Sequence, residues 1–282
     1  MPGPSFAAIV ASLHGHVGKT LLARTLTDYF ILSGNMPYVF DTDAVERGLH
    51  ASFPAEARVI DLAVVRDQMR LFDTLAEPSP KPRIVDVTHR SLITFFELLR
   101  GTDVIAEARS RGIEPVIFYI PDRRADSFEA GVVLRDNFPD CGFIVVDNAF
   151  LKEPKRGARQ EPSYQALTTH NWRFGMPKLA EQVVEALEDC SFSLGDFMRQ
   201  PISSSGDVPV PDNLTPGMPI ALRTWVFRMF QEIHRLTNAV AAHEEPVAAI
   251  PPRPWDSDPE VWEETRTSSL KADHRAFADE HE

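Results

Sequence analysis

The sequence predicts an α/β fold in which a mainly parallel β-sheet is covered by helices on both faces. Short apolar runs alternate along the chain with segments that show helical spacing, which is the pattern of repeated β-α units. The apolar runs are continuous rather than interrupted by polar residues at every second position, as is typical of parallel strands buried on both faces. A chain of 282 residues, 43% of them hydrophobic, is long enough to bury one such core.

Each apolar run is expected to form a strand or part of one. In chain order the runs cover 6–12, 37–43, 59–62, 83–87, 116–120 and 143–148. The patterns between and after them predict helices over about 21–33, 64–75, 92–99, 104–111, 127–137 and 177–187. The polar stretch 151–173 is expected to be an exposed loop or a short helix. Because ligands of such sheets bind beyond the carboxyl ends of the strands, functional residues are expected there.

The C-terminal part of the chain has a different organisation. The sequence divides into a main domain at 1–200, a linker at 201–216 rich in Ser, Pro, Asp and Gly, a helix at 217–245, and a tail at 246–282. Apolar residues recur at helical spacing from Leu222 to Val240, so this long helix is amphipathic and is expected to pack on the domain or on a partner. The tail is Pro-rich and then acidic, and we expect it to be disordered.

A glycine-containing segment between the first apolar run and the first helix predicts a phosphate-binding loop. It reads His14-Gly15-His16-Val17-Gly18-Lys19-Thr20. Such a loop directs backbone N–H groups and a helix N-terminus at phosphate oxygens, while Lys19 adds positive charge and the Thr20 hydroxyl can bind Mg²⁺. The alternative is a tight turn with a solvated lysine. The predicted fold is therefore a P-loop NTPase that binds a nucleoside triphosphate with Mg²⁺. The predicted nucleotide-binding residues in this segment are Gly15, His16, Val17, Gly18, Lys19, Thr20 and Leu21.

Aspartates at two other strand ends are candidates for the chemistry. Asp86 closes the apolar run 83–87 and is predicted to bind the metal, directly or through water. Asp43 follows the run that begins at residue 37 and is predicted to orient the attacking water, which makes Asp43 and Lys19 the predicted catalytic residues. Either aspartate could instead cap a helix N-terminus, and that structural role is the one expected for Asp41.

These features together resemble the ParA/MinD family of deviant Walker A ATPases. The loop 14–20, Asp43, Asp86 and the strand that ends at Asn148 occur in the family's order, and the layout is most similar to plasmid ATPases of the StbB/TraL kind, over about residues 6–190. The resemblance implies that ATP and Mg²⁺ are the cofactors and that Asn148 contacts the adenine edge. It also implies a nucleotide-dependent homodimer that binds a protein or DNA cargo.

The chain departs from the family pattern at three places. The family's signature lysine, which reaches the partner's phosphates, corresponds to His14, and an imidazole is shorter and mostly neutral near pH 7. The family's second loop glycine corresponds to His16. After Asp86 the chain reads Val87-Thr88-His89-Arg90, without the Pro or Gly usual in the family's second switch. Cross-subunit contacts and hydrolysis are therefore less strongly implied than nucleotide binding.

Composition limits the other function classes. The net charge of −12 opposes strong non-specific binding to DNA or to an anionic membrane. No apolar stretch reaches the roughly 18 to 20 residues of a membrane-spanning helix, and no signal-peptide layout is present. Two cysteines are too few for a disulfide framework. We therefore expect a cytoplasmic protein without membrane insertion.

Three functions are compatible with these observations. The first is an ATP-binding switch ATPase, with slow Mg²⁺-dependent hydrolysis, that acts in plasmid stability, DNA or cargo partitioning, or conjugative transfer. The second is a small-molecule kinase or ligase of the dethiobiotin synthetase type, which also contains a Val-Gly-Lys-Thr loop. The third is a non-catalytic adaptor that binds nucleotide weakly or not at all.

Overall fold

The computed structural model describes residues 5–151, 154, 156–169, 172–188, 193–199 and 218–241. The predicted linker at 201–216 and the predicted tail at 246–282 lie outside these residues. Among the described residues, no helix combines the length and the apolar character that a membrane crossing requires.

The chain forms an α/β structure built on one sheet. The strands are β1 (Ser5–Ala11), β2 (Tyr38–Asp41), β3 (Ala57–Val59), β4 (Arg83–Asp86), β5 (Ile113–Tyr119), β6 (Gly142–Asn148) and β7 (Trp172–Met176). The helices are α1 (Lys19–Leu32), α2 (Gly48–Ser52), α3 (Val65–Ala76), α4 (Leu92–Arg100), α5 (Val104–Ser110), α6 (Ala125–Asn137), α7 (Arg156–Arg159), α8 (Pro162–Thr169), α9 (Glu181–Glu188), α10 (Leu194–Arg199) and α11 (Met218–Ala241). A turn of 3₁₀ helix at His89–Ser91 precedes α4.

The predicted parallel sheet is confirmed. The described strands have the order β3-β2-β4-β1-β5-β6-β7, and every neighbouring pair is parallel. Successive side chains of a strand point to opposite faces. In β1, Ala8 and Val10 accordingly join a core with α1, α9, α10 and α11, whereas Ile9 joins a second core with α3 to α6 and α8. Helices therefore cover both faces of the sheet.

The long C-terminal helix packs against α1 and β7. The ring of Phe230 lies 5.7 Å from the ring of Tyr29 on α1, and the Tyr29 hydroxyl is 2.9 Å from His234 Nδ1. Near the start of the helix, the buried indole of Trp225 donates a hydrogen bond of 2.7 Å to the Pro177 carbonyl. The apolar face predicted from residue spacing is thus covered by the chain itself.

The stretch 151–173 agrees only in part with the sequence-based expectation of an exposed loop or a short helix. It contains α7 and α8, and its last residues begin β7, which no apolar run signalled. Phe174 and Met176 are buried beneath the neighbouring helices, and Arg173 forms an ion pair of 2.7 Å with Asp147 of β6. The strand forms because β6 offers a hydrogen-bonding edge, which is a tertiary effect that local composition does not reveal.

Candidate functional site

The loop between β1 and α1 has the left-handed backbone that a tight phosphate-binding turn requires. Gly18 at the start of α1 has φ 92°, and a Cβ atom at this position would lie 2.9 Å from Asn148 Nδ2. His16 also has φ above zero, at 57°. This is the position where the resembled family has glycine, and a non-glycine residue in this conformation costs about 1–2 kcal/mol. The loop therefore keeps the glycine-like conformation although the residue is histidine.

The first turn of α1 places Lys19 and Thr20 beside the carboxyl ends of the strands. Lys19 is only 7% exposed, and its ammonium donates a hydrogen bond of 3.0 Å to the His14 carbonyl across the loop. Burial lowers the pKa of Lys19, although Asp86, Asp43 and Glu46 act in the opposite direction. The lysine is thus held beside the helix N-terminus, whose first N–H groups have no partners within the helix.

Thr20 and Asp86 meet at the centre of the site. The Thr20 hydroxyl donates a hydrogen bond of 2.7 Å to Asp86 Oδ2. Asp86 reaches this point because β4 pairs with β1 in a register that sets Asp86 opposite Val10, just before the loop. Its side chain is buried at 4% exposure, and burial raises the pKa of Asp86 to about 7.

The environment of Asp86 fits a magnesium ion. Its second oxygen, Oδ1, is buried and has no hydrogen-bond partner among the described residues. A buried carboxylate oxygen without a partner is costly, and carboxylate and hydroxyl oxygens are the ligand types that Mg²⁺ prefers. Thr20 and Asp86, the two predicted metal ligands, are therefore adjacent and chemically suited to the metal.

The two aspartates that follow β2 have different surroundings. Asp41 is buried and accepts hydrogen bonds from the backbone N–H groups of Asp43, Leu49 and His50, at 2.9–3.0 Å. It fixes the segment that leads into α2, which agrees with the structural role predicted for it.

Asp43 is more accessible and lines the site. Its carboxylate accepts the N–H groups of Val45 and Glu46 and the Thr88 hydroxyl, at 2.9–3.0 Å. Burial raises the pKa of Asp43, but the hydrogen bonds from Glu46, Thr88 and Val45 outweigh it, so the pKa lies below its usual value. Asp43 is consequently an ionised acceptor near Lys19, which is the state that orienting a water molecule requires.

His89 and Arg90, which follow β4 and were given no role in the sequence-based predictions, also line the site. The imidazole of His89 covers Gly15, where an added Cβ atom would lie 3.1 Å from the ring. Burial, with Lys19 and Arg90 nearby, lowers the pKa of His89. Arg90 Nη1 lies 3.7 Å from Asp43 Oδ1, and its Nη2 contacts Glu46 Oε1. Two signals in the sequence pointed to them: their position directly after a strand end, and their correspondence to the second switch of the resembled family.

Asn148 contacts the loop and also lines the cavity beside it. Its side-chain amide donates a hydrogen bond of 2.9 Å to the Val17 carbonyl, and its oxygen accepts the Phe150 N–H at 3.0 Å. It thereby ties the end of β6 to the loop. The adenine contact implied by the family resemblance stays a prediction.

A cavity of about 860 Å³ joins these groups. On one side it is lined by polar residues from the loop and the strand ends: Gly15, His16, Gly18, Lys19, Thr20, Asp41, Asp43, Glu46, Asp86, Thr88, His89 and Arg90. On the other side, between α1 and α9, the lining includes the charged residues Arg24 and Glu181 but is mostly apolar: Leu21, Met176, Pro177, Leu179, Val184, Leu187 and Trp225. A polar half beside an apolar slot suits a phosphorylated ligand with a flat ring system.

His14 points away from this cavity lining. Its Nδ1 lies 2.9 Å from Asp122 Oδ2, and its Nε2 lies 3.6 Å from Asp126 Oδ2. These three side chains could in principle surround a metal ion, but Arg124 already forms an ion pair of 2.7 Å with Asp126. His14 therefore contacts the loop that precedes α6 and the first turn of that helix.

No protein-family model matches this chain, and no curated protein matches it either. Its function must therefore be inferred from the side chains gathered at this edge of the sheet.

Proposed function

We propose that this protein is a magnesium-dependent ATPase that binds ATP in the loop at 13–20 and hydrolyses it slowly. The observation that supports this most is the contact between Thr20 and Asp86, with Lys19 buried beside them. These residues are far apart in the sequence, and they meet where a loop and a helix N-terminus favour phosphate. A helix N-terminus, a lysine and an acidic metal site are the parts that phosphoryl transfer uses.

Each side chain has a distinct role in the proposed reaction. The loop and Lys19 bind the phosphates, Thr20 and Asp86 hold the metal, and Asp43 orients a water molecule. Bound Mg²⁺ would neutralise charge on the phosphate oxygens. The apolar slot beside Leu21 and Met176 receives the base, near Asn148.

The resemblance to the ParA/MinD family extends the proposal to a biological role. The protein would use ATP binding and hydrolysis as a switch in plasmid stability, partitioning of DNA or another cargo, or conjugative transfer. His14 lies 2.9 Å from Asp122 of its own chain, so a cross-subunit contact through His14 requires that contact to break first. Sizing the protein with ADP, ATP and a non-hydrolysable analogue tests the switch, because only the triphosphates should produce a dimer. A monomer under all three conditions contradicts it.

A phosphate-release assay tests the hydrolysis. With Mg²⁺ and ATP, the wild-type protein should release phosphate, and Lys19→Ala should reduce release to background. Lys81→Ala is the matched control, because Lys81 is exposed at the opposite end of the sheet, before β4. Failure of the wild-type protein to bind ATP at millimolar concentration would refute the proposal.

A second function, phosphate transfer to a small molecule, is favoured by one observation. The cavity continues past Asp43 and Gly48 to Ala51 and Ser52 of α2, which leaves space for an acceptor beside the predicted water position. A kinase forms ADP without free phosphate when its acceptor is present. Measuring both products with a metabolite mixture therefore distinguishes the two functions, because equal amounts of ADP and free phosphate indicate hydrolysis alone.

A further inference from the structure

Arg90 is a cation of the site in addition to Lys19 and Arg24, which also line the cavity. Arg90 lies on the 3₁₀ turn after β4 and lines the same cavity as Lys19, Asp43 and Asp86. One guanidinium nitrogen lies 3.7 Å from Asp43 Oδ1, and another contacts Glu46. Its side chain is 44% exposed, so it lies at the mouth of the cavity and can change partners without disrupting the core.

The imidazole of His14, at the start of the loop, is directed elsewhere. His14 lies between Asp122 and Asp126, at 2.9 and 3.6 Å, so it contacts two carboxylates of its own chain rather than the acids of the site. Asp122 belongs to the segment that links β5 to α6, and Asp126 lies in the first turn of α6. Of these two side chains, only Arg90 faces the acids of the site.

The contacts of Arg90 couple it to the predicted water-orienting residue. Thr88 donates a hydrogen bond to Asp43 Oδ2, while Arg90 approaches Asp43 Oδ1. The end of β4 therefore meets the loop after β2 through two side chains that share one carboxylate. Oδ1 also accepts the N–H groups of Val45 and Glu46, so a phosphate that draws Arg90 toward itself would leave Asp43 held in place by the backbone and by Thr88.

We propose that Arg90 contacts the γ-phosphate within its own subunit and stabilises the negative charge that develops during hydrolysis. This inference rests on the proposed ATPase function. The guanidinium group matches two phosphate oxygens with parallel N–H groups, which a lysine ammonium cannot do. The exchange requires only that Arg90 leave the exposed carboxylate of Glu46 for the phosphate.

The reaction itself is ordinary hydrolysis. The water oxygen forms a bond to the γ-phosphorus while the bond from that phosphorus to the bridging oxygen breaks, and the electron pair of that bond leaves with ADP. One water proton remains on the inorganic phosphate and the other passes to solvent by way of Asp43. Arg90 transfers no proton, because an arginine stays charged in proteins.

Single-turnover hydrolysis by folded full-length variants tests this inference. Arg90→Ala should lower the rate constant at saturating ATP by about 100-fold or more. The affinity for ADP, which lacks the γ-phosphate, should change less than about twofold. Arg90→Lys should recover part of the rate, because the charge is restored without the paired N–H groups. Arg100→Ala, at the exposed far end of α4, is the matched control and should behave as the wild type.

Mixing of variants supplies a second readout. If Arg90 acts within its own subunit, an excess of Lys19→Ala chains, which keep Arg90, does not restore hydrolysis by the Arg90→Ala variant. Restored hydrolysis in the mixture indicates a cation from another subunit and overturns the inference. An Arg90→Ala variant that hydrolyses bound ATP at the wild-type rate also overturns it and leaves the ATPase proposal intact. A wild-type protein that hydrolyses no ATP overturns both.

Discussion

Replacing Asp86 by asparagine should stabilise the nucleotide-free protein at alkaline pH. Asp86 is buried, and its burial together with the charges of Asp41 and Asp43 raises its pKa from 3.8 to about 7, against the opposing effects of Thr20 and Lys19. A carboxyl whose pKa is raised by folding binds more protons in the folded state. Its contribution to stability is therefore complete below the unfolded pKa and is lost as pH rises toward 7.

The magnitude follows from this pKa. Between the unfolded and the folded pKa, each pH unit changes the free energy of unfolding by about 1.36 kcal/mol. Between pH 5 and pH 8 the wild type should therefore lose about 3 kcal/mol of stability, which the Asp86→Asn variant should keep. Asparagine can still accept the Thr20 hydrogen bond, which makes the substitution a close structural match. The wild type should regain stability with Mg²⁺ and ATP, whereas the variant should not.

Urea unfolding in EDTA at several pH values between 5 and 8 measures this difference directly. The difference in unfolding free energy between variant and wild type should grow steadily up to about pH 7 and then level off. If the unfolding free energies of the two proteins changed in parallel with pH, Asp86 would not be a buried carboxyl with a raised pKa, and this explanation would be refuted.

Three further substitutions test other parts of the structure. Gly18→Ala would place a side chain at a left-handed φ of 92°, with its Cβ atom 2.9 Å from an amide nitrogen. Calorimetry should therefore show an ATP affinity reduced about tenfold or more, and an unchanged affinity would contradict the loop geometry. Gly131→Ala places a Cβ atom 2.7 Å from the Tyr119 ring; urea unfolding should show a loss of about 1–3 kcal/mol, with ATP affinity retained. Arg83→Leu removes a fully buried guanidinium that binds the carbonyls of Thr74, Glu77, Ser79 and Lys81, and the same assay should show a loss of about 3 kcal/mol or more. A fully stable Arg83→Leu protein would show that water replaces the arginine without cost.

The sheet could be predicted where strands are locally apolar. The buried runs around Ile9, Ile117 and Val145 form central strands of the sheet, and their burial on both faces explains why they lack polar alternation. The strand Trp172–Met176 was missed because its stability depends on pairing with β6 and on the Arg173–Asp147 ion pair. The short helix Gly48–Ser52 was missed for a similar reason, since Asp41 fixes its start through backbone contacts.

The sequence predicted which strand ends contribute to the candidate site but not how its side chains are directed. Asp43 and Asp86 could be brought together from sequence alone, because the carboxyl ends of parallel strands meet at one edge of a sheet. The orientation of His14 could not be inferred, since it is set by Asp122 in a loop more than a hundred residues later. The contact between Arg90 and Asp43 likewise depends on the pairing of β2 with β4. In these cases the direction of a side chain is set by residues that are distant in the sequence.

A calorimetric titration of ATP into the wild-type protein tests the central claim most directly. With Mg²⁺ present, we expect one ATP to bind per chain, with an affinity that falls about tenfold or more in EDTA or in the Lys19→Ala variant. Binding that is equally strong without Mg²⁺ and without Lys19, or no binding at millimolar ATP, would show that the loop and Asp86 do not form a magnesium-nucleotide site.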